Sequence, residues 1–398
     1  MKPKDNSTPI KPAEAAVPFW RDAGKRAIFI QIIALFMVGG VSYYLFSNTQ
    51  ANLARQSIAT GFGFFGKEAS FEIGESLIRY SASDSYARAL LVGVLNTLQV
   101  AFIGIILTTI LGSIVGVARL STNWLLSKMA GAFIEVMQNI PVLLQLFFWY
   151  AIFYESFPPP RQALTPVNGI VLCNRGFIFA IPEAHSAYPA MGLMFLAVLI
   201  GGWFMNRWGH RRQELTGQAF PAGRITIAMI IILPLLIWAL YGAPTAMNMP
   251  ELHGFNFQGG LTLSPEFMAL LLGLVLYTSA FVAEIVRAGI QSINRGQIEA
   301  AKAIGLRSGQ VLQLVIFPQA LRVIIPPLTS QMLNLTKNSS LAVAIGYADF
   351  VAVANTTINQ TGQAIEGVAM IMVVYLVFSL STSLFMNWYN KHMALVER

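Results

Sequence analysis

Charge is scarce in this chain of 398 residues, and groups able to do chemistry are scarcer. Asp, Glu, Lys and Arg make up only 11% of it, where a soluble domain carries roughly 25%. Cys173 is the single cysteine, so no internal disulfide can form and the redox compartment cannot be read from it. His185, His210, His253 and His392 are scattered, without metal-ligand spacing. No HExxH stretch and no nucleophile paired with a base is present, which leaves a membrane-embedded enzyme without machinery. No cleavable signal is evident, because residues 1–26 are polar and contain proline, and no repeat of 20–50 residues recurs.

What the chain has in quantity is apolar surface. Hydrophobic residues reach 55%, with a mean hydropathy of +0.60, the composition of an all-α polytopic membrane protein. The formal charge of +8 therefore does not call for nucleic acid; its distribution over the loops matters more. Ala27–Phe46 is an uncharged run of 20 residues, about 30 Å as a helix and enough for one crossing. Runs at Ala89–Ala118, Ala130–Phe153, Tyr188–Met205, Ile225–Tyr241, Phe267–Ile290, Ala320–Leu335 and Val368–Phe385 bring the expected spans to about eight. Lys2, Lys4, Lys11, Arg21, Lys25 and Arg26 form a basic arm expected in the cytoplasm. The loop with Arg207, Arg211, Arg212 and Arg224 and the tail with Lys391 and Arg398 belong on the same side. Both termini are then cytoplasmic, and residues 47–88, 157–187 and 242–264 lie outside. The expected units are the arm 1–26, an extra span and external loop 27–88, a transport domain 89–390 containing the segment 291–318, and the tail 391–398.

That segment is polar, although it lies between two apolar runs. Glu299 to Pro318 reads EAAKAIGLRSGQVLQLVIFP. Asn294 and Gln297 stand as an N-cap and its N3 partner ahead of a helix over Gln297–Ile304. Gly305 sits where a left-handed stop needs no Cβ, Ser308 caps a second short helix, and Pro318 limits how that helix continues. Ile298, Ala301 and Ile304 make a narrow apolar stripe, with Ala300 and Ala303 leaving room for close approach. A knob of this shape suits a groove in another protein.

Glu299-Ala300-Ala301, three residues, Gly305, nine residues, and then Val315-Ile316-Phe317-Pro318 resembles the EAA loop of ABC importer permeases. Tyr277–Ile290, Pro318–Leu341, Asn96-Thr97-Leu98 and Asn139–Gln145 (NIPVLLQ) resemble the polar amino acid permeases of the histidine/glutamine type over roughly residues 89–390. Val315 and Phe317 stand where that family usually has Ile and Leu, and Gln138 where it often has Arg. The extra first span, the GFGFF stretch and the pair of spans near 188–241 resemble the larger general L-amino acid permeases of Gram-negative bacteria. The resemblance implies the type I ABC importer permease fold in the inner membrane, working by alternating access. It also implies docking through Glu299, Ala300, Ala301, Gly305 and Pro318 on two cytoplasmic ATPases. Those partners would bind ATP and Mg²⁺, and this chain would hold no cofactor. A second permease subunit, non-identical in the larger subfamily, and a periplasmic amino acid-binding protein complete the expected assembly. The alternatives are an ion-driven secondary transporter, which leaves the EAA segment unexplained, and an ABC permease for another small polar solute.

Three further groups of residues call for a reading. Gly61–Glu68 (GFGFFGKE) satisfies G-x-G-x-x-G and the start of a P-loop. Glu68 replaces the hydroxyl that would hold Mg²⁺, and the topology puts the stretch outside, so a flexible aromatic external turn is expected. Glu284 and Arg287, three apart on one helix face, either pair locally or serve gating or assembly. Gln331, Asn334 and Asn338 share a face one turn after Pro326-Pro327; they either bond between helices or line the substrate path. Lys337 beside them reaches the external interface or meets a substrate carboxylate.

Overall fold

The computed structural model describes residues 23–55 and 60–393. Most of the basic arm and the last residues of the tail therefore lie outside the described residues. In chain order the helices are α1 (Ala23–Arg55), α2 (Tyr86–Arg119), α3 (Trp124–Asn139), α4 (Val142–Ala151), α5 (Ala187–Thr216) and α6 (Ala222–Leu240). They continue as α7 (Pro265–Gln291), α8 (Arg295–Ala303), α9 (Ser308–Val311), α10 (Phe317–Asn338), α11 (Phe350–Thr361) and α12 (Ala364–Met393). Side-chain oxygens set many of the starts: Ser85 caps α2, Asn123 caps α3, Ser264 caps α7 and Asp349 caps α11.

Seven helical stretches among the described residues are long and apolar enough to cross a membrane, and α3 with α4 makes up to an eighth. The continuous span expected over Ala130–Phe153 is broken instead. α3 and α4 meet at 102°. Pro141 offers no N–H and forces Ile140 into extended backbone, φ −94° and ψ 125°. Gln145 repairs the break: its Nε2 donates to the carbonyls of Met137 at 2.9 Å and Ile140 at 3.0 Å.

α2 and α7 lie side by side at the centre. Their approach needs glycine, because a Cβ at Gly112 would stand 2.6 Å from Val282 and one at Gly116 would stand 2.6 Å from the Ala283 carbonyl oxygen. Leu146 of α4 and Leu335 of α10 close the core around Phe267, Leu270 and Leu274. α5 and α6 pack chiefly on one another, with Gly202 against Thr226. α5 runs on to Thr216, so Arg207, Arg211 and Arg212, expected in a loop, lie on its final turns.

The segments expected as open loops are built more firmly than that. Leu164–Val167, Ile170–Cys173 and Gly176–Phe179 form an antiparallel meander, and Leu261–Leu263 pairs with its third strand. Residues 157–187 and 242–264 therefore share one end of the bundle. Residues 60–85 join them there, since the Glu75 carboxylate accepts the Ser264 N–H. GFGFFGKE is a packed 3-10 turn, Gly63–Gly66, rather than a flexible one. Phe64 is buried against Tyr86, Leu90, Phe350 and Val353. The next helix begins only at Tyr86, so the loop-to-helix join of a P-loop is not built.

Candidate coupling and substrate-path sites

α7 starts directly after the strand Leu261–Leu263, and its 27 residues carry the chain about 40 Å to the opposite end of the bundle. There Asn294 Oδ1 accepts the Gly296 N–H at 2.9 Å and opens α8 at Arg295, two residues before the expected start. Gly305 adopts φ +85°. Its N–H donates to the Lys302 carbonyl at 3.0 Å, and the Leu306 N–H donates to the Ala301 carbonyl at 3.2 Å. This bond pair is the glycine-terminated helix stop that the sequence spacing implies.

Two details differ from expectation. Ser308 is the first residue of α9 rather than its cap; the Arg307 N–H is held by Gln310 Oε1 at 3.0 Å. Pro318 does not limit the helix either. A π turn over Leu312–Ile316 widens the backbone just before it, and the proline falls in the first turn of α10, where no N–H is required. Ser308–Ile345 consequently forms one helical stretch of 38 residues.

The apolar stripe divides. Ala301 is 6% exposed, and Ile298 packs toward Ile293, Ile316, Ala320 and Ile324. Ile304 is 78% exposed, beside the exposed Glu299, Ala300, Ala303 and Gly305. Two apolar residues thus anchor α8 to its own bundle, leaving one to protrude among small neighbours.

On α10, Asn334 and Lys337 are exposed and Gln331 and Asn338 half-buried, while Leu335 and Thr336 turn into the core. Among the described residues, none of the three amides has a side-chain hydrogen bond to another helix. Pro326 and Pro327 lie inside α10 and leave the Arg322 and Val323 carbonyls without their usual helical donors. Glu284 and Arg287 do pair locally: Arg287 donates to Glu284 Oε2 through Nη2 at 2.6 Å and Nε at 3.0 Å. Its Nη1 also reaches Gln291 at 2.7 Å.

Reasoning from the sequence missed a buried polar tie behind this face. Asn96 Nδ2 donates to the carbonyls of Glu75 and Ala348, both at 2.9 Å. Thr97 accepts the Phe350 N–H at 3.0 Å, and Asp349 accepts the Tyr375 hydroxyl at 3.1 Å. Burial pushes the Asp349 carboxyl up to about 6, against the lowering bonds from the Ala352 and Val351 N–H groups and Tyr375. The available signal was Asn96-Thr97 in an apolar run, a costly pair that must find partners. Among the described residues no cluster of three His, Cys, Asp or Glu side chains is arranged for a metal.

Comparison with known proteins bears on this geometry. A family model described as "Binding-protein-dependent transport system inner membrane component" matches residues 215–395. The chain is 49% identical over 377 residues to the general L-amino acid transport system permease protein AapQ of Rhizobium johnstonii, covering 95% of this chain and 94% of that one. It is 48% identical over 374 residues to the putative amino-acid ABC transporter permease protein YhdX of Escherichia coli K12, covering 94% and 95%. The glutamate/glutamine/aspartate/asparagine transport system permease protein BztB of Rhodobacter capsulatus is 39% identical over 413 residues, covering 95% and 96%.

Proposed function

Because the chain belongs to the binding-protein-dependent family of inner-membrane transport components, we propose that it carries L-amino acids inward, driven by partner ATPases docked at α8. It is a multi-pass permease subunit of an ABC transporter, not an enzyme, and a separate subunit hydrolyses ATP. The L-amino acid cargo is proposed from the cargo named for the relatives. The observation that carries the coupling role is the exposed, Gly305-terminated turn joined without a break to α10. A push on Ile304 and Gly305 there is transmitted along a helix whose far half bears Gln331, Asn334 and Asn338.

In this reading Glu299, Ala300 and Gly305 form, with the protruding Ile304, the docking turn on one of two ATPase subunits, while Ala301 holds the turn to its own bundle and Pro318 opens the helix behind it. The turn lies in the cytoplasm and the four-stranded sheet faces the periplasm, where a loaded binding protein delivers the solute. A second, non-identical permease subunit covers the exposed face of α10 and completes the path. The local Glu284–Arg287 pair stiffens α7 beside that path. ATP and Mg²⁺ belong to the partners. The test is reconstitution of the full complex in proteoliposomes. ATP-dependent uptake of L-amino acids is expected; uptake that survives without ATP and collapses with an ion gradient would refute the reading.

A further inference from the structure

At the sheet end, a cavity of about 340 Å³ is lined by Glu75, Arg175, Thr262, Ser264, Glu266 and Tyr347, beside Gly74, Gly346 and Ala348. It begins just past the end of the Ser308–Ile345 stretch, where Gly346, Tyr347 and Ala348 line it. Three observations indicate what it would hold.

The first is charge. Glu75 and Glu266 both line it, and neither forms an ion pair with a basic side chain among the described residues. Glu75 is held by the Ser264 N–H, and Glu266 Oε1 accepts the Tyr150 hydroxyl at 3.3 Å. Burial raises the Glu75 carboxyl above the usual range, Ser264 partly offsets this, and the Glu266 charge raises it again. Two carboxylates on one cavity, neither in an ion pair and with only Arg175 of opposite sign among its lining residues, favour a cationic guest.

The second is an orphan. Tyr347 is 2% exposed and its ring is tilted against Phe267, with 5.8 Å between ring centroids. The residue lines the cavity, and its buried hydroxyl has no hydrogen-bond partner, although a buried hydroxyl without one is costly. The third is Arg175, exposed at the mouth and likewise unpaired among the described residues. Its guanidinium is a ready partner for a carboxylate.

We propose that this cavity receives the ammonium group of a zwitterionic amino acid between Glu75 and Glu266, with the Tyr347 hydroxyl as acceptor and Arg175 meeting the carboxylate. The site is an entry vestibule at the sheet end, ahead of the α10 face. It rests on the amino acid reading above, and its test separates the two.

Thr262→Cys in a Cys173→Ser background places a thiol on the cavity wall. In the full reconstituted complex, its labelling by a methanethiosulfonate reagent is timed with methylammonium, L-alanine, L-glutamine, or the ammonium-free propionate and glutaramate. Methylammonium and both amino acids should slow labelling, and propionate and glutaramate should not. Glu75→Gln and Glu266→Gln keep an acceptor for Ser264 and Tyr150 while removing charge, so each should weaken protection roughly tenfold or more without loss of assembly. Tyr347→Phe should weaken it less. Labelling indifferent to methylammonium and L-alanine, equal protection by propionate, or protection by Ca²⁺ alone would overturn the site. Absence of amino acid uptake with methylammonium protection intact would instead sink the cargo assignment and leave the cation site standing.

Discussion

Replacing Gly305 in turn by alanine, asparagine and valine separates backbone geometry from docking shape. The residue stands at φ +85°, and a Cβ built on it meets nothing within 4 Å. Any cost within this chain is therefore conformational. A left-handed backbone costs an ordinary L-residue roughly 1–2 kcal/mol, and asparagine less, because its side chain bonds locally. With about 1.4 kcal/mol per factor of ten, alanine should shift the turn about 5- to 30-fold toward other conformations. Valine, stiff at Cβ, should shift it further. If the Lys302 and Ala301 bonds that close α8 are what present Ile304 to the ATPase, activity should run Gly, Asn, Ala, Val. If free space for the partner is what matters, alanine should outperform asparagine. The assay is ATP-driven uptake in proteoliposomes alongside ATPase stimulation by the loaded binding protein. Damaged variants should hydrolyse ATP detached from solute supply. Wild-type uptake by Gly305→Ala with an impaired Gly305→Asn would refute the backbone argument, and normal behaviour of Gly305→Arg in both assays would refute the docking assignment.

Asn334→Leu should impair transport while leaving insertion and ATPase assembly intact, and cysteines at 331, 334 and 338 in the Cys173→Ser background should be labelled from water and shielded by solute; three unreactive thiols in a working transporter would mean the face is packed against a neighbour. A reporter fused after Gly61 should read as periplasmic and one after Arg212 as cytoplasmic; the reverse at either would sink the orientation. Gln145→Leu strands the Met137 and Ile140 carbonyls at the α3–α4 break and should cost about 2–4 kcal/mol, so an unchanged melting temperature would show that other groups or water hold the bend. Asp349 is pushed up to about 6 from 3.8, so its protonated form favours folding; that contribution is full below pH 3.8 and fades as pH rises through about 6. Asp349→Asn, which can still cap α11 through Oδ1 while its Nδ2 donates to the Tyr375 hydroxyl oxygen, should flatten thermal stability across this window; parallel pH profiles would contradict the assignment.

The spans and the glycine-stopped turn after α8 were legible because each follows from a local rule. Ala27–Phe46 and Phe267–Ile290 are long uncharged runs, and Asn294 and Gly305 bracket a helix through cap chemistry that needs no distant partner. Pro318 was misjudged because proline is forbidden in a helix interior but harmless in a first turn, and the π turn over Leu312–Ile316 leaves no local signature. The 102° break hid inside an apolar run for a related reason: Asn139-Ile140-Pro141 signals a stop, yet what completes it is the buried Gln145 side chain folding back on the Met137 and Ile140 carbonyls. The sheet formed by 164–179 and 261–263 joins strands separated by two helices, a pairing invisible to any window of residues. α11 escaped notice because its 12 residues are too few to span, and its packing on α2 depends on Gly93 meeting Phe350 and Val353.

The parts that were not legible connect the parts that were. The Ser308–Ile345 stretch begins three residues after Gly305 and ends two residues before Tyr347. The proposed docking turn and the proposed vestibule are therefore the two ends of one helical lever. Such a lever transmits displacement where its backbone bonds are intact and yields where they are not. Two places yield: the π turn over Leu312–Ile316, and the step at Pro326-Pro327, which leaves two carbonyls undonated. The amides of Gln331, Asn334 and Asn338 lie beyond both, on the half nearer the sheets. A push at Ile304 should thus reorient the first half of α10 most and reach the amide face attenuated. Removing the second soft place with Pro326→Ala and Pro327→Ala together tests this. The stiffened helix should change the coupling ratio of solute moved per ATP while leaving docking at Gly305 intact, and an unchanged ratio would mean the prolines shape the path without bending it.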